Sequence, residues 1–175
     1  HSLIEFNSKS GRLTVEKKGE WYILNFPSEK ITEMEKPSFL ESALNSPVLK
    51  TYKGKWKYLV ELESESAVQD LKPNFGLLSN LDSNGIIVTA EGNKVDFVSR
   101  FFAPKIGINE DPVTGSAHTL LIPHWGEKLN KTKMLAMQLS KRTGFLKCEY
   151  LQDRVEMSGQ AITYLKGTIA VNISH

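Results

Sequence analysis

Gly107-Ile108-Asn109-Glu110-Asp111-Pro112-Val113-Thr114-Gly115-Ser116-Ala117-His118 sets two carboxylates, a proline and a glycine directly before the most apolar helical run of the chain. Pro112 fixes its own φ, removes one backbone N–H and pushes Asp111 towards an extended conformation. Gly115 has no Cβ, so the backbone there can approach another group closely. Thr114 or Ser116 is placed to cap a helix through Ala117, Leu120, Leu121 and Trp125, whose first N–H groups then point outward. Bare amides and the positive end of a helix dipole make a seat for an anion, with Asp111 at its rim. The same residues would also serve as plain loop-to-helix punctuation without a chemical role. Spacing alone leaves both readings open.

Working outward, the helix is expected to run to about Lys128. It is apolar nearly all round, the pattern of a helix enclosed by other structure, and Pro123 inside it should bend it or leave one carbonyl unpaired. Two strands, Gly85–Glu91 and Lys94–Phe102, lead into the stretch, and Ile86 to Val88 is apolar on both faces, as in a central strand. Further upstream, Leu13–Lys17 with Trp21–Phe26 and Val48–Lys53 with Trp56–Glu63 read as hairpins. In the last of these strands Trp56, Tyr58, Val60 and Leu62 share one face and Lys57, Glu61 and Glu63 the other, the alternation of a half-buried antiparallel strand. Residues 28–36 are polar without a period and are taken as a linker. Short helices are expected over Pro37–Leu44, after the cap Ser64, and through Leu77, Leu78 and Leu81. Downstream, Met134–Ser140, Phe145–Leu151, Arg154–Ser158, Ala161–Leu165 and Thr168–Ile173 read as a meander, with turns at Gly144, Asp153, Gly159 and Gly167. Strands, a buried helix and more strands suit an α+β domain with its sheet wrapped round that helix.

Glu110 to His118, followed by Pro123-His124-Trp125 and Leu129, resembles the signature of the phenazine-biosynthesis PhzF-like isomerases. Gln138-Leu139-Ser140-Lys141-Arg142-Thr143-Gly144 resembles that family's Q-x-S-x-R-x-G strand and turn. Arg154-Val155-Glu156-Met157-Ser158-Gly159-Gln160-Ala161 resembles its closing hairpin, and Arg100 to Pro104 fits the strand that delivers the signature. The resemblance implies a diaminopimelate epimerase-like fold: two lobes, each a mostly antiparallel curled sheet or barrel around a central helix, with the active site between them. Residues 1–30 would be the end of a first lobe and residues 31–175 the second lobe.

The activity implied is that of a cofactor-independent isomerase moving a proton on a small carboxylated metabolite. Asp111 is carried over as the catalytic residue, positioning substrate or shuttling a proton. Gly115, Ser116 and Thr114 are carried over as the residues that hold the substrate carboxylate. The family's catalytic glutamate and its Gly-His-Ala-Thr segment have no counterpart in these 175 residues. The chain is therefore expected to be a fragment of a longer protein or a remnant with half a site. The alternative is a non-catalytic ligand-binding or dimerisation lobe. A homodimer is the family-level expectation.

Glu110 should point away from Asp111, because neighbours on an extended segment face opposite sides. His118 is read as a packed or hydrogen-bonded histidine. His118 and His124 lie on different helix faces, and no other His/Cys/Asp/Glu spacing suits a metal. No nucleotide-binding glycine motif is present, so no cofactor is expected. The net charge of +2, with lysines scattered, argues against nucleic acid. No apolar run reaches the ~20 residues that span a bilayer. The single Cys148 cannot form an internal disulfide, which fits a reduced, cytoplasmic compartment.

Overall fold

The whole of β3 (Trp21–Pro27) and the whole of β12 (Arg154–Gln160) pair antiparallel, Trp21 opposite Gln160 and Pro27 opposite Arg154, so segments from the early and late parts of the sequence share one sheet. The computed structural model describes residues 3–9, 11–168 and 170. Within them β1 (Leu3–Ser8), β2 (Gly11–Lys18) and β3 form an antiparallel ribbon. The remaining strands are β4 (Thr32–Met34), β5 (Lys50–Lys53), β6 (Lys57–Glu61), β7 (Gly85–Glu91), β8 (Phe97–Ala103), β9 (Ile108–Asp111), β10 (Lys133–Gln138) and β11 (Gly144–Leu151). The sheet runs in the order β1-β2-β3-β12-β11-β10-β8-β7-β6-β5-β4, with β9 pairing β8. Its two ends do not pair, so the barrel expected from the sequence is not closed among the described residues.

Two of the pairings are parallel, β6 with β7 and β8 with β10. A parallel pair needs a crossover, and the crossovers carry the helices. Between β6 and β7 the chain forms α2 (Glu65–Gln69) and α3 (Phe75–Leu78). Between β8 and β10 it forms α4 (Gly115–Leu129). With α1 (Leu40–Leu44), α2 and α3 cover one face of the sheet over Tyr58, Val60, Ile86, Val88 and Phe102. The opposite face packs Leu59, Ile87, Phe97 and Phe101 against Leu120, Leu121 and Trp125 of α4. Trp125 stacks on Phe97 with ring centroids 5.9 Å apart, and its indole N–H donates to Thr89 Oγ1 at 2.9 Å. Each such side chain, fully buried, contributes roughly 1.5–3 kcal/mol.

This double cover corrects one expectation. In β6 the alternation holds, but the face assigned to water holds Leu59 and Glu61, which are 0% and 3% exposed. A period of two separates faces without revealing what lies over them. Trp56 falls just outside the strand and is 56% exposed rather than inward.

The short helices follow their caps: Ser64 Oγ accepts from the Ala67 amide at 3.2 Å and Asn74 Oδ1 from the Leu77 amide at 3.1 Å. The polar linker 28–36 contains β4, an edge strand held by backbone pairing to β5 and by an exposed ion pair from Lys50 to Glu33 at 3.0 Å. Gly159 lies inside β12 rather than in a turn. Ala161–Leu165 is exposed and forms no strand, and Thr168–Ile173 lies mostly outside the described residues.

Candidate active site at the start of α4

After β8 the chain makes a single 3-10 turn at Pro104–Ile106, reverses at Gly107 (φ 85°) and returns as β9, with Phe101 opposite Asp111. Extended geometry then sends Glu110 and Asp111 to opposite sides, as the sequence predicts. Glu110 takes a two-point pair from Arg100, Nε to Oε1 at 2.7 Å and Nη2 to Oε2 at 3.0 Å. Arg100 Nη1 also donates to the carbonyls of Val68, Gln69 and Leu71 at 3.2, 3.2 and 2.9 Å. A cation at the closing turn of α2 satisfies carbonyls that the helix leaves bare. Glu110 is thereby a structural residue, fixing β9 against α2.

Asp111 is half-buried and accepts the Thr114 hydroxyl on Oδ2. Thr114 occupies the cap position of α4 but makes no side-chain cap bond; its hydroxyl donates to Asp111, and its oxygen accepts from Gln138 Nε2 instead of from the helix. That corrects the capping role expected of it, and Ser116 does not cap the helix either, since it lies inside it. The Thr114 amide goes to Gln138 Oε1 at 2.8 Å, and the Ala117 amide to the Thr114 carbonyl at 3.1 Å. Between them, the amides of Gly115 and Ser116 have no acceptor among the described residues. An added Cβ at Gly115 would meet only Met157 Sδ at 3.6 Å and Leu24 Cδ2 at 3.9 Å, both ordinary contacts, so packing does not demand glycine there.

The loop is clamped by Gln138 at the end of β10 and by Ser140 just beyond it. Gln138 is fully buried. Its Nε2 donates to the Asp111 carbonyl at 2.7 Å and to Thr114 Oγ1 at 3.2 Å. Ser140 Oγ donates to the Pro112 carbonyl at 2.8 Å. Thr143 sits at φ 53°, a costly conformation for a β-branched residue, and is tied back by its amide to Ser140 O at 3.0 Å. Gly144 then passes so close to Val113 that a Cβ would stand 2.4 Å from Val113 Cγ2. The Gln-x-Ser-x-x-Thr-Gly pattern is thus the bracket that fixes Asp111 to Thr114.

Inside α4, Pro123 has no N–H, so the Thr119 carbonyl lacks its helical partner. The amide of Glu29, just beyond β3, takes it at 2.9 Å. The unpaired carbonyl foreseen from the sequence is therefore the tie between α4 and the segment leaving the first ribbon. Ser116 and Thr119, on the same side of the helix, border a cleft of about 340 Å³ whose other walls include Phe26, Glu29, Trp56 and Lys57. Asp111, Thr114 and Gly115 are not among its lining residues.

His118 is buried. Its Nδ1 lies 2.9 Å from the Thr114 carbonyl, and burial pushes its pKa down to about 4. It is a neutral packing residue, as expected. Glu61 is the buried charge the sequence misplaced. Tyr52 Oη donates to it at 3.0 Å, Lys128 Nζ pairs with it, and His124 Nε2 lies 2.8 Å away. Burial works against its charge, but the close approach of His124 and the bonds from Lys128 and Tyr52 outweigh it and hold the carboxyl at about 2. These partners come from β5 and α4, so the cluster joins the sheet to the helix. No group of three or more potential metal ligands occurs among the described residues, and no described helix is long and apolar enough to cross a membrane.

Against this geometry the chain compares with known proteins as follows. The family model described as "Phenazine biosynthesis-like protein", PhzC-PhzF, matches residues 2–167. An uncharacterised isomerase of Halalkalibacterium halodurans is 47% identical over 169 residues, covering 95% of this chain and 64% of the relative. An uncharacterised isomerase of Pseudomonas aeruginosa is 44% identical, covering 97% of this chain and 65% of the relative. A crystal structure of a PhzF-family protein from Enterococcus faecalis superposes with a TM-score of 0.90 at 43% identity, over 98% of this chain and 66% of that one. The chain belongs to the PhzC-PhzF family, and its mixed sheet with few helices is the PhzF-family fold. Both of these bacterial relatives are named isomerases. The chain spans somewhat under two thirds of the length of these relatives.

Proposed function

We propose that this chain supplies the acid-binding lobe of a cofactor-independent isomerase that moves a proton between carbons of a small carboxylated metabolite. The observation that carries it is the pair of unpaired amides at Gly115 and Ser116, four and five residues beyond a half-buried Asp111 that the Gln138 bracket holds in place. Two N–H groups at a helix start bind a carboxylate well, since donors and dipole act together. Thr114 orients Asp111 through its hydroxyl, and Asp111 positions the substrate or passes its proton. The partner acid–base is a glutamate from the portion of the relatives that this chain does not span. On this proposal the completed molecule is two-lobed, as in diaminopimelate epimerase, with residues 1–30 closing the first lobe and 31–175 forming the second. It works as a homodimer in the cytoplasm.

One observation favours a second reading. Asp111 does not line the cleft that Ser116 borders, as would be the case for a lobe that binds an acid or a second copy without chemistry. Deuterium incorporation separates the two. The chain joined to the missing portion of its relatives is incubated in deuterated water with carboxylated dienes and amino acids. Exchange at carbon, reduced about 10²–10⁴-fold in Asp111→Asn, supports the isomerase. Exchange at an unchanged rate in that variant removes Asp111 from the mechanism.

A further inference from the structure

The cleft beside Ser116 is lined by three lysines, Lys9, Lys55 and Lys57, against one carboxylate, Glu29. None of the three forms an ion pair among the described residues, whereas Lys128 and Lys131 each do. Glu29 Oε1 accepts the Lys55 amide at 2.6 Å, and its carboxylate forms no ion pair with any of the three among the described residues. Lys57 is half-buried, and its burial lowers its pKa while Glu29 offsets only part of that. A partly desolvated ammonium with no carboxylate in contact carries a cost that an incoming anion removes. The volume of about 340 Å³ suits a small ligand. The lining also includes apolar side chains, Leu13, Phe26, Pro27 and the Trp56 ring, the last 56% exposed. The Ser116 hydroxyl, at the α4 edge of the cleft, makes no hydrogen bond among the described residues.

We propose that this cleft selects acids carrying a second anionic group on an apolar skeleton, with Lys57 and Lys55 as the specificity-determining residues. The inference rests on the acid seat proposed for α4: one carboxylate takes the amides of Gly115 and Ser116, and the second enters the cleft past Ser116 to the lysines. A mono-acid fills only the seat and leaves the ammonium groups unanswered. A charge-assisted contact of this kind is worth about tenfold in affinity or more.

Titration calorimetry on the chain tests it, using succinate, glutarate, adipate and isophthalate, each against its mono-acid counterpart. At least one diacid is expected to bind about tenfold more tightly than its mono-acid. Lys57→Gln and Lys55→Gln should each lower diacid affinity more than mono-acid affinity and so shrink that preference. Lys55 is exposed, with its ammonium 5.5 Å from the Trp56 ring centroid, so its replacement keeps the test valid should Lys57→Gln disturb the fold. Raising salt should shrink the preference too, since the lysines are partly open to solvent. Mono-acid binding with no diacid preference, or a preference that survives both substitutions, overturns this inference alone. Absence of any acid binding overturns the α4 seat with it.

Discussion

Replacing Gln138 with methionine keeps the side-chain volume nearly constant and removes the three hydrogen bonds that hold the loop before α4. The Thr114 amide and the Asp111 carbonyl then lose their partners at 2.8 and 2.7 Å. Thr114 is only 6% exposed, so water has little access to its N–H. Each stranded group costs roughly 1–3 kcal/mol, and the two together roughly 3 kcal/mol. For a domain of this size that is a fall in Tm of about 6–12 °C. The Thr114 hydroxyl keeps its bond to Asp111, so the loss should stay below that of a collapsed core. Thermal and urea denaturation of the variant give the number, and Lys141→Met, exposed and three residues away, should lie within about 0.5 kcal/mol of the parent. A loss under about 1 kcal/mol for Gln138→Met would mean the loop holds its shape without the bracket.

Acid should weaken the fold in two successive windows. Burial lowers His118 from 6.5 to about 4, so the unfolded chain takes up that proton first, and stability present above pH 6.5 declines as the pH falls towards 4. Glu61, lowered from 4.5 to about 2, adds stability that is complete above pH 4.5 and lost as the pH falls towards 2. Each shift corresponds to about 3 kcal/mol. In His118→Asn the decline between pH 6.5 and 4.5 should flatten, and an unchanged slope there would mean another group titrates. In Pro123→Ala the restored N–H competes for the Thr119 carbonyl, so hydrogen exchange at the Glu29 amide should speed up. Protection of that amide at its former level would show that the freed carbonyl is not what ties residues 28–30 to α4.

Local sequence determined the elements that report on themselves. The cap Ser64, the extended turn into Asp111, the opposite headings of Glu110 and Asp111, and the enclosed α4 all follow from residues within a few positions of each other. Four ordered motifs sufficed to show the family because they are the loop, its bracket and the strands carrying them. What sequence could not supply was the identity of distant partners. Glu61 looked solvated because period two names a face without naming its cover, and only the α4 crossover places Lys128 and His124 over it. β4 has no pattern to read, being three exposed residues held by backbone pairing. Gln138 and Ser140 lie more than twenty residues from the groups they hold. The unpaired lysines share a cleft because β6 and the first ribbon meet at the flank of α4. Periodicity records which side of an element is apolar; tertiary packing alone decides which charges lose water and which polar atoms find each other.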